Sequence, residues 1–221
     1  MKVKRIFAAV LMLAAAAAMT LAVTACADDT TGGGGGGGID EYVLEAEYMD
    51  IKDVSGAGIS SNQSGYSLIW GDGSDAQKEL GWSSGYYIGF THTPAFSMDF
   101  TFEADKDATA TIVIRLGSEI GNITLTPESF EIKLNGTSIN YGSMFVEGGN
   151  QNMATMEFFD KTLTSAAQLK AGTNTINVSV HSNELRNGQT GGPMIDCVKV
   201  TTDAALEWTS LTDNPSHKGG I

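Results

Sequence analysis

An all-β fold, an antiparallel β-sandwich, is what this chain predicts, and three observations predict it. First, apolar residues alternate with polar ones in at least four segments. Second, those segments are separated by clusters of turn residues. Third, helical periodicity is hard to find after Gly38. Period-two patterning places one apolar row on a core and leaves the other row to polar neighbours. Many short strands with turns between them favour a sandwich.

The first 25 residues are read separately from the fold. Lys2, Lys4 and Arg5 precede an apolar run from Ile6 to Val23 in which only Thr20 is polar. A basic start, an apolar middle and small residues before a cut describe a secretory signal. Val23-Thr24-Ala25-Cys26 closes it and resembles the bacterial lipobox. That resemblance implies acylation of Cys26, which becomes the new N-terminus. The other reading is a membrane anchor with a chance cysteine, but the run is short for a span of roughly 20 residues. The expected location is therefore extracytoplasmic, at the outer face of the cell membrane, with lipid as the membrane contact.

Removal of residues 1–25 takes away three basic residues. It leaves 10 Lys plus Arg against 26 Asp plus Glu, a net charge of about −16. Such a balance opposes nucleic acid, whose binding needs clustered cations, and opposes adsorption to anionic headgroups. One thiol remains, Cys197, so no intramolecular disulfide is expected. Residues 26–38 carry the acylated cysteine and a tether that ends in seven glycines. Glycine loses the most conformational freedom on ordering, and a run of this length spans roughly 15 Å as a flexible chain. The folded domain is expected over 39–208, and the polar stretch 209–221 reads as a loose tail.

Within the domain, Tyr42-Val43-Leu44-Glu45-Ala46-Glu47-Tyr48 reads as the first strand. On a strand, Glu45 and Glu47 share a face. Their proximity has two readings: a solvated acidic face, or a site for a hard cation such as calcium. A long loop, from Gly56 to Ser84, contains Trp70 and Trp82. The next strands place Phe96, Met98, Phe100 and Phe102 on one parity, then Ile112, Ile114 and Leu116. Glu103 to Asp107 divides the two. Phe130, Ile132 and Leu134 precede Asn135-Gly136, a strong hairpin signal. A second loop runs from Met144 to Asp160. Ala171 to Asn174 makes another turn before Ile176, Val178 and Val180. A third irregular stretch, Ser182 to Pro193, contains Asn183.

Several segments occur together in order: Glu45-Ala46-Glu47, Ser84-Gly-Tyr-Tyr-Ile-Gly-Phe90, Phe130-Glu-Ile-Lys-Leu-Asn-Gly136, Leu169-Lys-Ala-Gly-Thr-Asn-Thr-Ile176, Gly192-Pro-Met-Ile-Asp-Cys-Val-Lys-Val200 and Ala205-Leu-Glu-Trp208. Across roughly residues 41–208 the set resembles the carbohydrate-binding modules of families 35 and 6, most closely family 35. The resemblance implies a jelly-roll sandwich with a structural calcium ion held by Glu45, Glu47 and Asp196. It also implies a non-catalytic domain that binds a polysaccharide or other glycan through an aromatic ring and a few polar groups. Trp82, Tyr86, Tyr87, Phe159 and Asn183 are the candidates. For each ring, packing in the core or a loop is the competing reading. The chain departs from the family pattern at two places. Met194 stands near a usual asparagine, and Cys197 where an aromatic commonly follows the closing aspartate.

The chain shows few signs of catalysis. His92, His181 and His217 lie at no zinc spacing. A surface domain of the same fold that binds a protein partner is the second functional reading. A small glycoside hydrolase built on paired carboxylates is the third.

Overall fold

The computed structural model describes residues 38–53, 69–89, 91, 96–119, 121–148, 156–182 and 191–208. The signal segment, the tether with Cys26, the C-terminal tail and Asn183 lie outside the described residues. In chain order the elements are β1 (Asp40–Glu45), a 3-10 turn (Ala46–Tyr48), β2 (Asp50–Asp53), β3 (Ile69–Gly71), α1 (Asp75–Glu79), β4 (Tyr86–Ile88), β5 (Ser97–Ala104), β6 (Ala108–Gly117), β7 (Ile123–Leu125), β8 (Phe130–Leu134), β9 (Thr137–Ser138), β10 (Met144–Val146), β11 (Phe158–Leu169), β12 (Gly172–Val180), β13 (Met194–Thr202) and β14 (Leu206–Glu207).

Two six-stranded antiparallel sheets make the expected sandwich, an all-β fold of the jelly-roll class. One runs β11-β6-β13-β4-β3, with β1 also paired to β13. The other runs β14-β5-β12-β8-β9, with β2 also paired to β5. A small ribbon joins β7 to β10. The alternation read from the sequence faces a common core. Met98, Phe100 and Phe102 of β5, Ile112, Ile114 and Leu116 of β6, Phe130 and Ile132 of β8, and Ile176 and Val178 of β12 are all buried in it. Burying each such side chain contributes about 1.5–3 kcal/mol.

The turns behave as their residues dictate. Asn135 and Gly136 both adopt positive φ, 51° and 79°, and Lys133 pairs with Ser138 across them. That is the two-residue hairpin connection whose twist matches the strands. Asn174 has no solvent exposure. Its amide donates to the carbonyls of Lys170 and Gly172 at 2.7 and 2.9 Å. Its oxygen accepts from Lys170 N–H at 3.0 Å. The turn between β11 and β12 is thus held by one buried amide.

The two long loops hold more structure than the sequence pattern conveyed. The first contains β3 and the five-residue α1, capped by Ser74, whose Oγ accepts from Gln77 N–H at 3.4 Å. The second contains β10, and Phe158 and Phe159 open β11 instead of standing in the loop. These elements have two or three strand residues or a little over one helical turn, too few for a periodic pattern to declare itself.

A second, smaller apolar cluster comprises Trp70, Trp82, Tyr87, Met156, Phe158 and Met194. Neighbours along the same strands, Ile69, Ile88, Phe159 and Ile195, belong to or pack on the main core. Alternation therefore assigns this cluster to the opposite, outer face of the β11-β6-β13-β4-β3 sheet. The 72–85 segment contributes Trp82 to it. Gly71 makes this crossing possible: its φ is 110°, and a Cβ there would lie 2.1 Å from the Gly85 carbonyl oxygen.

Candidate functional site

The three carboxylates assigned to a cation come together, but by a different local geometry from the one expected. β1 ends at Glu45, and Glu47 sits in the following 3-10 turn. Glu45 and Glu47 therefore do not share a strand face; the turn brings Glu47 round instead. Asp196 is delivered by an irregularity in β13. Ile195 pairs with Leu116 and Cys197 with Arg115, so Asp196 is an extra residue between them. A bulge of this kind bends a strand and re-aims a side chain. Ile195 and Val198 both stay in the main core, which leaves Asp196 and Cys197 between them free of it.

Ser83 and Ser84 clamp the three acids. Ser83 N–H donates to both Asp196 carboxylate oxygens, at 3.1 and 3.2 Å. The Ser83 hydroxyl donates to Glu45 Oε2 at 2.5 Å, and the Ser84 hydroxyl donates to Glu47 Oε1. Arg115 supplies positive charge from the next strand, with Nε 3.1 Å from Asp196 Oδ2. The same guanidinium donates to the Gly81 carbonyl oxygen at 2.9 Å and pairs with Asp160 at 2.8 Å. Lys199 completes the row, 2.8 Å from the other Asp160 oxygen.

All three acids are buried: Glu45 is 7%, Glu47 2% and Asp196 0% exposed. Burial disfavours the charged form, and neighbouring like charges add to this. Burial and then the charge of Glu45 push the Asp196 carboxyl up to about 7. The same two causes hold Glu47 well above the usual carboxylate range. Burial likewise raises the Cys197 thiol, which is free and buried.

Glu47 Oε2 is buried and has no hydrogen-bond partner among the described residues. Buried polar atoms are normally satisfied, so an orphan calls for a reason. The donors here are hard carboxylate oxygens, as calcium prefers. On that chemistry the residues fit a divalent hard cation. As they stand, however, no group of three or more His, Cys, Asp or Glu among the described residues is spaced to hold a metal ion. The hydroxyls of Ser83 and Ser84 occupy carboxylate oxygens that an ion would use.

The candidate sugar residues separate. Trp82 is 1% exposed, and its indole N–H donates to the Met156 carbonyl at 2.7 Å. Tyr87 has no exposure and meets Trp82 edge-on, with centroids 5.0 Å apart. Neither ring offers a face to a sugar; for Trp82 and Tyr87 the candidate role is corrected, and packing is the reading that holds. The neighbours of Trp82 in sequence are polar because they clamp carboxylates, while the ring turns inward. Phe159 is partly buried on β11 and packs on the main core, with Lys161 Nζ 5.6 Å from its ring centroid. Tyr86 is partly buried, its ring so close over Gly73 that a Cβ there would lie 2.8 Å from it. Trp82 directly precedes the clamping serines, so the buried ring and the acid cluster are held by one segment. Met194 and Cys197 are both buried, Met194 in the outer-face cluster. His181 lies 3.0 Å from Glu131.

Sequence reasoning missed Ser83, Ser84 and Arg115. Arg115 carried a faint signal, a lone cation between Ile114 and Leu116 in an acidic chain.

No family model matches the chain, and no curated protein matches it. Solved structures do. A family 35 carbohydrate-binding module from an environmental isolate is 18% identical, with a TM-score of 0.48, over 77% of this chain and 99% of that one. A family 35 module from Cellvibrio japonicus Abf62 is 13% identical, with a TM-score of 0.45, over 78% and 100%. A family 36 module in complex with calcium and xylotriose is 14% identical, with a TM-score of 0.42, over 72% and 98%. At these values no residue role passes from those proteins to this chain.

Proposed function

We propose that this protein is a lipid-anchored, calcium-stabilised, non-catalytic carbohydrate-binding domain at the outer face of the cell membrane. The observation that carries the reading is the convergence of Glu45, Glu47 and Asp196 beneath Ser83 and Ser84, with Glu47 Oε2 unbonded. These are the residues that the ordered motifs imply for a structural ion. In this reading the ion supplies the positive charge that the buried acids lack. It ties the 3-10 turn after β1 to β13 and acts on the scaffold, not on the sugar. Tyr86, which is partly exposed, remains a ring for stacking; Asn183 remains a polar partner from outside the described residues. Residues 26–38 act as the lipid-bearing tether.

A glycan array with the purified protein tests the reading, with plant mannans, galactose-containing glycans and uronic-acid polymers probed first. Retention on at least one glycan, lost on Tyr86→Ala without a large stability change, is expected. Burial of Trp82, Tyr87, Met194 and Cys197 favours the second reading, a surface domain for a protein partner, because it removes two candidate rings. Failure of the folded, calcium-loaded protein to bind any of those glycans would select that reading. Product release from a bound glycan would select a hydrolase.

A further inference from the structure

On one side of the sandwich, an edge strand of each sheet contributes to a shared cleft. Among the described residues β11 ends the first sheet and β9 ends the second. The cleft measures about 450 Å³, and its walls include Leu134, Ser138, Ile139 and Asn140 on one side and Ala167 of β11 on the other. That volume falls within the usual range for small-molecule sites. The cleft lies at the far end of β11 from the acid cluster. Phe158 pairs with Gly117 at one end of that strand, next to Leu116 and Arg115, and Leu169 pairs with Ala108 at the other.

Local sequence sets both walls. Asn135 donates from Nδ2 to Asn174 Oδ1 at 2.9 Å, and its oxygen accepts from Thr175 N–H at 2.9 Å. Asn174 in turn holds Lys170 and Gly172, just past the end of β11. The β8–β9 hairpin is thus tied to the end of the opposite wall, which fixes the width of the cleft. β11 shifts register against β6 between Thr162 and Thr164 and again between Thr164 and Ala167, and irregularities of this kind bend a strand. Leu134 and Ala167 are buried and Ile139 packs on the main core, so the base of the cleft is aliphatic. Ile139 N–H donates to the Ile132 carbonyl at 2.8 Å. Main-chain groups alternate sides along a strand, so Ser138 turns its own N–H and C=O away from β8, to the open edge. Asn140 Oδ1 accepts from Gly142 N–H at 3.1 Å. A main-chain N–H only donates, so that bond fixes the orientation of the amide and leaves the Asn140 NH2 group as the donor it offers at the rim.

We propose that this cleft is a second ligand site, for the acetamido group of an N-acetylated amino sugar. The proposal rests neither on calcium nor on the glycan reading given to Tyr86. An acetamido group carries a methyl, a carbonyl acceptor and an N–H donor in one small plane, and the cleft presents a counterpart to each. The methyl packs on Leu134, Ile139 and Ala167. The carbonyl accepts from the Asn140 NH2 group. The N–H donates to the Ser138 main-chain carbonyl. An extended peptide added along the edge is the rival occupant. It fits less well, because β9 has two residues, Thr137 and Ser138, and a ladder draws its affinity from several main-chain bonds. The bends in β11 likewise interrupt a straight edge on the other wall.

The test is an NMR titration of the protein with a short oligomer of N-acetylglucosamine, followed at the Asn140 side-chain amide and the Ile139 main-chain amide, which shares its peptide group with the Ser138 carbonyl. Saturable shifts of both are expected. The fully deacetylated oligomer should leave them unmoved. An O-acetylated xylose oligomer keeps the methyl and carbonyl but lacks the N–H, and it should bind more weakly. Asn140→Asp keeps the acceptor for Gly142 and removes the donor; it should weaken binding about tenfold. Ala167→Leu fills the base and should abolish the shifts. Asn140 is exposed, so its variant guards against misfolding caused by the change at buried Ala167. Binding that survives both variants, or that moves Tyr86 and leaves Asn140 unmoved, overturns the site; the latter result would leave the Tyr86 reading standing. Equal binding of the deacetylated or the O-acetylated oligomer overturns the acetamido assignment. Tighter binding of an extended peptide at the same amides gives the edge to a protein ligand and overturns the proposal.

Discussion

Arg115 Nε lies 3.1 Å from Asp196 Oδ2, and it is the guanidinium through which a fully buried carboxylate meets positive charge. The arginine also holds Gly81 and Asp160. It therefore joins three places at once: the bulge of β13, the segment leading into the serine clamp, and β11. Removing one partner of a buried pair leaves an uncompensated charge, which is costly by about 3–5 kcal/mol. Arg115→Met is expected to destabilise the protein by about 3 kcal/mol, at the low end because the guanidinium is partly exposed. Urea unfolding in chelator checks this. An unchanged midpoint would show that Asp196 does not depend on the arginine.

Trp82→Ala is expected to cost about 3–5 kcal/mol, as for other large buried aromatics. Trp82→Phe should cost less, chiefly the hydrogen bond to Met156, about 1 kcal/mol. Any loss of glycan binding in the alanine variant should follow the loss of fold. Equilibrium unfolding followed by circular dichroism makes the comparison. Retained stability would mean that the ring is not the core of the outer-face cluster.

Calcium should raise the melting temperature and chelation should lower it. An ion that binds only the native state adds about 2.7 kcal/mol at a hundred times its Kd. Glu47→Gln removes the charge next to the orphan oxygen and should abolish the response. Calorimetry with and without chelator, accompanied by metal analysis of the starting protein, is the check. Identical unfolding in both conditions, with metal shown to be exchanged, would sink the assignment.

Metal-free stability should fall as pH rises. The folded state raises Asp196 to about 7 and raises Glu47 by burial and by Glu45. An unfolded carboxyl releases its proton near pH 4. Between about 4 and about 7 the folded state therefore holds more protons than the unfolded chain, so stability decreases with pH through that window. The Asp196 contribution should amount to a few kcal/mol and be lost by about pH 7, and Glu47 acts in the same direction. Glu131, pushed down to about 2 by Lys133, Ser138 and His181, acts in the opposite sense but only below about 4. A urea midpoint in chelator that is higher at about pH 5 than at about pH 8 is expected. A flat profile would mean that the acids are not buried in the metal-free protein.

Cys26→Ala should leave the protein unacylated and incorrectly processed. Mass spectrometry of the membrane-extracted protein reads the N-terminus directly. A mature end elsewhere, without acyl chains, would refute the lipobox reading.

Much of the fold was legible in the sequence because strand alternation is local. A row such as Met98, Phe100 and Phe102 needs only one apolar side, and Asn135-Gly136 needs only its own backbone preferences. The paired sheets follow from burying those rows together. The acids Glu45, Glu47 and Asp196 were also named from sequence, through the order of the motifs. What the sequence could not determine is how they meet. Glu47 reaches the cluster through a 3-10 turn, and Asp196 through a one-residue bulge set by pairing with Leu116 and Arg115. Ser83 and Ser84 lie far along the chain from the acids they bind, and Arg115 was marked only as a lone cation between apolar neighbours. The fate of Trp82 was equally hidden, because its polar neighbours form no apolar row that would mark the ring as buried. Its ring is buried by Tyr87 and Phe158, which lie far apart in the chain from one another. Periodicity records which residues avoid water along one strand; only contacts between strands decide which side chains share a site.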